Sequence, residues 1–208
     1  MGLERNTMGS LALAEPVQQI AGNGHLSNPA TALHHTKFEP PRTVPEATGL
    51  LDDTRILTPE GHRAIAMLDQ GDTVILQDGQ EATIRHILDA PRSTHCVEIS
   101  APYLELDQDL IIGREHQIAI TCLSAEYLFD VDTVLVPAWV FCNTVKARNC
   151  ELGPSARMVQ VQLDRPGAVC VGGCEIASLS APEQTHLRSL TKIEAQAFAM
   201  EYNQGVFI

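Results

Sequence analysis

The feature that most constrains this chain is its middle, where short apolar runs recur with turns between them. Arg55-Ile-Leu-Thr58 is followed by Pro59-Glu-Gly61, a turn. Thr73-Val-Ile-Leu76 and Ala82-Thr-Ile-Arg-His-Ile-Leu88 flank Asp78-Gly79, a dipeptide that accepts the positive φ angles of a tight hairpin. Val97–Ser100, Leu110–Ile112, Gln117–Ile120, Thr133–Val136, Met158–Leu163 and Ala168–Val171 continue the series. None carries apolar residues at helical spacing over ten or more positions. An all-β domain of short strands and tight turns follows.

The flanks read differently. Residues 1–46 contain Gly22-Asn-Gly24, the His34-His35 pair, Pro40-Pro41 and Pro45, which break any long period. A flexible arm with a short helix near 11–20 is expected there. Two neighbouring imidazoles lack the further ligands of a metal site. Beyond the β segments, Ser180-Ala-Pro-Glu183 has capping-box spacing, with Pro182 suited to a first turn. Leu187, Leu190, Ile193, Ala197 and Phe198 then recur at helical spacing before Asn203 and Gly205. The pattern predicts one amphipathic helix over about 182–201, packed on the β domain or offered to a partner. The chain thus divides into an arm (1–46), a β domain (47–180) and a C-terminal helix with its tail (181–208).

Composition narrows the function classes. Hydrophobic residues make up 44% of the 208, enough for a real core. Lys and Arg number 14 against 26 Asp and Glu, a net charge of −12. Nearly all of it lies in 47–183, with nine basic and twenty acidic groups. That sign argues against nucleic-acid binding, which needs cations to displace phosphate counterions, and a partner that reads charge should be cationic. No apolar run approaches the roughly 20 residues that cross a bilayer, so no membrane role is expected. The only apolar stretch near the start, Leu11-Ala-Leu-Ala14, is too short for a signal-peptide core. The expectation is a cytoplasmic protein whose six cysteines (96, 122, 142, 150, 170, 174) are reduced thiols.

One segment is more specific. Thr48-Gly-Leu-Leu-Asp-Asp-Thr-Arg-Ile-Leu-Thr-Pro-Glu-Gly61 resembles the opening block of bacterial Hint domains, the hedgehog/intein self-processing module. That block often has a Cys, an apolar residue, a short turn and Gly-Thr before Ile-x-Thr-Pro-x-Gly. Ala66-Met-Leu-Asp-Gln-Gly-Asp-Thr-Val74 is similar to the family's Leu-x-x-Gly-Asp-x-Val block. Leu110-Ile-Ile-Gly-Arg-Glu-His-Gln-Ile118 stands where the His-containing block occurs. Asp132-Thr-Val-Leu-Val-Pro-Ala138 and Val169-Cys-Val-Gly-Gly-Cys-Glu-Ile176 resemble the later elements. The resemblance covers about 47–180 and implies an all-β, horseshoe-like fold of short strands and hairpins.

It also implies where chemistry belongs. Self-processing Hint domains attack the carbonyl of the preceding residue with a Cys or Ser. The acyl shift needs that nucleophile, a group that protonates the departing amide nitrogen, and donors for the oxyanion. Counting back from Thr54, the nucleophile position falls on Gly49, which has no side chain. The Thr or Ser expected three residues before the block's His is Gly113, leaving His116 alone. A later His of active relatives corresponds to Gln160. The intein ending, His-Asn followed by Cys, Ser or Thr, is absent from Tyr202-Asn-Gln-Gly-Val-Phe-Ile208.

The resemblance therefore implies a degenerate module that neither cleaves itself nor splices, kept for a structural or binding role. Its rival is a self-cleaving chain cut near Thr48 or Gly49. Thr48 attacking the Ala47 carbonyl is a weak route, because a one-residue shift in an extended segment turns the side chain to the opposite face. Recruitment of another thiol finds no recognisable arrangement. In strand register His116 shares a face with Ile112, Ile118 and Ile120, the setting of a core histidine satisfied by hydrogen bonds. His86, between Ile84 and Leu88, reads the same way. Cys170 and Cys174 are about 13 Å apart if extended, although a turn at Gly172-Gly173 could close the gap. Neither that pair nor Cys142 and Cys150 has further ligands for a metal. Asp52-Asp53 and Asp130-x-Asp132 lack a calcium loop and read as turn residues. No cofactor or metal is expected. A protein partner is expected through the C-terminal helix or the acidic β domain.

Overall fold

The hairpin expected at Asp78-Gly79 forms, and it belongs to a fold built almost wholly of such pieces. This computed structural model describes residues 45, 47–91, 95–142, 145–179 and 187–203. The helix expected near 11–20, the His34-His35 pair and nearly all of the expected arm lie outside them. In chain order the structure runs through β1 (Leu50–Leu51), β2 (Arg55–Thr58), β3 (Gly61–Ala64), β4 (Thr73–Ile75) and β5 (Glu81–Asp89). It continues with β6 (Cys96–Ile99), β7 (Leu110–Gly113), β8 (Gln117–Thr121), α1 (Leu123–Phe129), β9 (Thr133–Pro137) and β10 (Ala147–Cys150). The last elements are β11 (Met158–Leu163), β12 (Ala168–Val171), β13 (Cys174–Ala177), β14 (Arg188–Ser189) and α2 (Lys192–Asn203).

Seven strands form one sheet, ordered β10-β6-β7-β1-β11-β5-β4, and five form another, β12-β13-β8-β9-β14, while β2 and β3 pair as a separate hairpin. The two-residue β1 lies in the middle of the larger sheet. Its Leu50 stands opposite Val159 of β11 and Ile112 of β7, and all three are buried. Every residue of β11 is buried, as a strand covered on both faces requires. That explains why Met158–Leu163 is continuously shielded although Gln160 and Gln162 are polar.

Two turns show how residue type sets the path. Between β4 and β5 the Gln80 N–H donates to Asp78 Oδ1 at 2.9 Å, and Gly79 takes φ +77°. Between β12 and β13, Gly172 and Gly173 adopt φ +57° and +91°, the two positive angles of a type I′ turn. A Cβ at Gly173 would also strike the Glu105 carbonyl.

The C-terminal helix is shorter and rotated relative to the expectation. The span 182–201 is wrong at its start, because Arg188–Ser189 is extended and pairs in parallel with Val134–Leu135 of β9. Residues 180–186, including the expected capping box, lie outside the described residues. The helix is capped by Thr191 instead. Its N–H donates to Glu194 Oε2 at 2.8 Å, and the Glu194 N–H returns a bond to Thr191 Oγ1 at 3.4 Å, a reciprocal capping box one turn before the apolar face. Starting there, the buried face is Ala195, Phe198 and Ala199 with partly buried Tyr202. Of the expected face, Leu190 and Phe198 are buried, whereas Ile193 is 80% exposed and Ala197 also points outward. Phe198 stacks on Tyr202 (5.6 Å between ring centroids) and lies 6.4 Å from Phe129 of α1. The helix α1 itself has no counterpart in the sequence reading, since seven residues are too few for a helical period to stand out.

Phe198 anchors α2 to the core, so Phe198→Ala should cost about 3–5 kcal/mol in urea unfolding. Ile193→Ala should stay within about 0.5 kcal/mol. Equal costs would contradict this packing.

Candidate functional site

The residues that lead into β1 take an unusual path. Ala47 has φ +54° and Gly49 φ +112°. Glycine meets such an angle without a Cβ penalty, whereas alanine is strained by it. Backbone bonds to the far end of β7 hold the path in place. The Glu115 N–H donates to the Ala47 carbonyl at 2.9 Å, and the Gly113 N–H to the Gly49 carbonyl at 2.8 Å. The Thr48 hydroxyl donates to the Pro45 carbonyl at 2.7 Å.

After Gly113 the chain turns sharply, and the His116 N–H donates back to the Gly113 carbonyl at 2.9 Å. This corrects the strand register expected for His116. The turn ends the alternation that would have aligned it with Ile112, and β8 begins only at Gln117. The expectation of a buried, satisfied ring does hold: His116 is 2% exposed. Its Nδ1 accepts the Gly49 N–H at 2.8 Å, and its Nε2 lies 3.0 Å from the Ala177 carbonyl. An amide N–H can only donate and a carbonyl can only accept, so the ring is the neutral tautomer with its proton on Nε2. Burial pushes its pKa down from 6.5 to about 4, against the opposing pull of the Ala177 bond. One imidazole thus ties together the entry to β1, the β7–β8 turn and the end of β13.

Two glycines make this closeness feasible. A Cβ at Gly113 would stand 2.6 Å from the Ala47 oxygen and 2.6 Å from the Thr48 carbonyl carbon. A Cβ at Gly49 would stand 3.0 Å from Ala90 Cβ and 3.1 Å from the Val159 oxygen. The amide between Thr48 and Gly49 therefore has a histidine on its nitrogen but no side chain from residue 49 beside its carbonyl. The Thr48 hydroxyl is directed at Pro45. Gln160 is buried on β11 opposite Leu88, and His116 bonds to Gly49 and Ala177 instead of to it.

The family model of the Hint domain matches residues 48–183. The chain belongs to the Hint family. Solved structures similar to it include the MchDnaB-1 intein, at 16% identity and TM-score 0.40, covering 62% of this chain and 99% of that one. The bacterial intein-like domain from Clostridium thermocellum shares 14% identity at TM-score 0.45, covering 64% of this chain and 99% of that one. The gp41-1 intein shares 17% identity at TM-score 0.36, covering 63% and 98%. No match was found among curated proteins.

The other candidates of this Hint domain sit apart from His116 or do structural work. His86 is half-buried on β5 opposite Gln162. The Gly172-Gly173 turn does bring β12 and β13 together, but Cys170 pairs with Glu175 and Cys174 with Val171. Strand alternation therefore sends the two thiols to opposite faces. Asp52 and Asp53 form a turn closed by the Thr54 N–H on the Leu51 carbonyl at 3.0 Å. Asp130 caps α1 with φ +57°. Among the described residues, no three His, Cys, Asp or Glu side chains are grouped to hold a metal ion. Sequence reasoning missed Ala177 and Ala47. Both act through backbone carbonyls, which leave no side-chain signature.

The depressed pKa of His116 fixes the sign of a pH effect. Below pH 6.5 the unfolded chain takes up a proton that the folded site refuses. The stability tied to His116 is full above that value and is lost as pH falls toward about 4. Unfolding free energy should fall over this window by an extra amount on the order of 3 kcal/mol relative to His116→Gln. Parallel pH profiles for the two proteins would contradict a buried neutral ring.

Proposed function

We propose that this Hint domain neither cleaves itself nor splices, and that it is retained as a structural or binding module. The observation that carries the reading is the Thr48–Gly49 amide. Its nitrogen rests on a neutral imidazole, while position 49 offers no nucleophile and position 113 has no room for a hydroxyl-bearing side chain. A weak acid with a pKa near 4 is deprotonated at neutral pH, so it holds the amide without offering a proton to a leaving nitrogen.

The module's acidity suits a cationic protein partner, met through the β domain or through α2, whose Ile193 and Met200 remain exposed. The six cysteines stand as free thiols in this fold, which fits a reducing compartment, so cytoplasmic residence is part of the reading. Among the described residues, no helix is long and apolar enough to cross a membrane.

The competing reading is self-cleavage near Thr48 and Gly49 by an N-to-S or N-to-O acyl shift. It draws on one of the features processing would need, the hydrogen bond from that amide to His116. Prolonged incubation of the full chain with dithiothreitol or hydroxylamine, followed by intact-mass measurement, separates the two. An unchanged mass is expected. A fragment beginning at Thr48 or Gly49, lost in His116→Ala, would overturn the proposal.

A further inference from the structure

The row of residues that crosses the larger sheet at the site runs on to a pair of cysteines. Gly113 of β7 stands opposite Cys96 of β6, and Cys96 stands opposite Cys150 of β10. Directly opposed residues of antiparallel strands send their side chains to one face, with Cα atoms about 4.5–5.5 Å apart. That spacing lies inside the range a disulfide spans, about 4.4–6.8 Å. On one side Cys96 meets a glycine, so the side chain across from it on the other side is the Cys150 thiol.

We propose that Cys96 and Cys150 are a disulfide-forming pair that closes when the protein meets a peroxide, tying β10 to β6. This does not rest on the loss of self-processing. The two thiols differ in access: Cys96 is 0% exposed, whereas Cys150 is only half-buried and ends an edge strand. Cys150 reacts first. Its thiolate attacks one peroxide oxygen, the O–O bond breaks, and Cys150 becomes a sulfenic acid as hydroxide leaves and is protonated to water. Cys96 then gives up its proton and its sulfur attacks the Cys150 sulfur, expelling hydroxide that leaves as a second water. Two thiols and one peroxide become one disulfide and two waters, and the peroxide receives both electrons.

Burial raises the pKa of Cys96 to about 11, and burial together with the Glu98 carboxylate raises that of Cys150. Closure is therefore slow at neutral pH and faster in mild alkali. The third thiol nearby, Cys142, donates to Asn149 Oδ1 at 3.4 Å. Asn149 precedes Cys150 and faces the other side of β10, yet Cys142 lies close enough for Cys150 to raise its pKa, which makes Cys142 the competing partner for Cys150.

The full chain is treated with hydrogen peroxide in mild alkali, capped with iodoacetamide and digested without reductant for mass spectrometry. The expected product is a linked peptide joining Cys96 to Cys150 and lacking two hydrogens. It should persist in Cys142→Ser and vanish in Cys150→Ser, with Cys96 then recovered as the thiol. A Cys142–Cys150 link, an intermolecular link through Cys150, or Cys150 sulfinic acid beside reduced Cys96 would each overturn the proposal.

Discussion

Two hydrogen bonds on one buried imidazole organise the centre of this fold. The ring of His116 accepts from Gly49 and donates to Ala177, so groups from both large sheets meet at a single side chain. Each of those groups is a backbone dipole that would be costly to bury without a partner. The ring satisfies them without introducing a charge, because burial keeps it neutral. With only Leu50 and Leu51 in ladder positions between β7 and β11, β1 is held at its entry by this contact as well. Leu50, Ile112 and Val159, opposite one another in the ladder, are all buried.

The glycines at 49 and 113 belong to the same constraint. Gly113 lets the Ala47–Thr48 backbone lie directly over the end of β7, closer than any residue with a Cβ would allow, while Gly49 lets β1 enter tightly against Ala90 and the Val159 carbonyl. The strain is concentrated at Ala47, a non-glycine residue at φ +54°, where such a conformation costs about 1–3 kcal/mol. In the Hint pattern these two positions are where a nucleophile and a hydroxyl are expected. Here they are occupied by close backbone contact instead. The proposed role, a domain that keeps the histidine for its architecture without acyl-shift chemistry, draws on this close backbone contact.

Much of the fold was legible in the sequence. The segments Arg55–Thr58, Met158–Leu163 and Ala168–Val171 coincide with β2, β11 and β12, because β-branched runs between strong turn residues leave little choice. Two-residue strands such as β1 and β14 were invisible, since their place comes from tertiary pairing and not from local pattern. The C-terminal helix was legible in kind but not in phase. Two Ser/Thr-x-x-Glu sequences lie close together; among the described residues Thr191–Glu194 closes as a cap, and the expected Phe198 is buried beside Ala195 while Ile193 and Ala197 point outward. His116 was legible as buried and satisfied, but its partners are backbone groups distant in sequence, beyond the reach of any side-chain motif.

The amide between Thr48 and Gly49 donates to the neutral His116 ring. A 15N–15N scalar coupling measured across that hydrogen bond, in the full chain at neutral pH, tests it directly. A resolved coupling is expected between the Gly49 amide nitrogen and an unprotonated His116 Nδ1. Absence of the coupling, or a Gly49 nitrogen that titrates as a free amine, would contradict it.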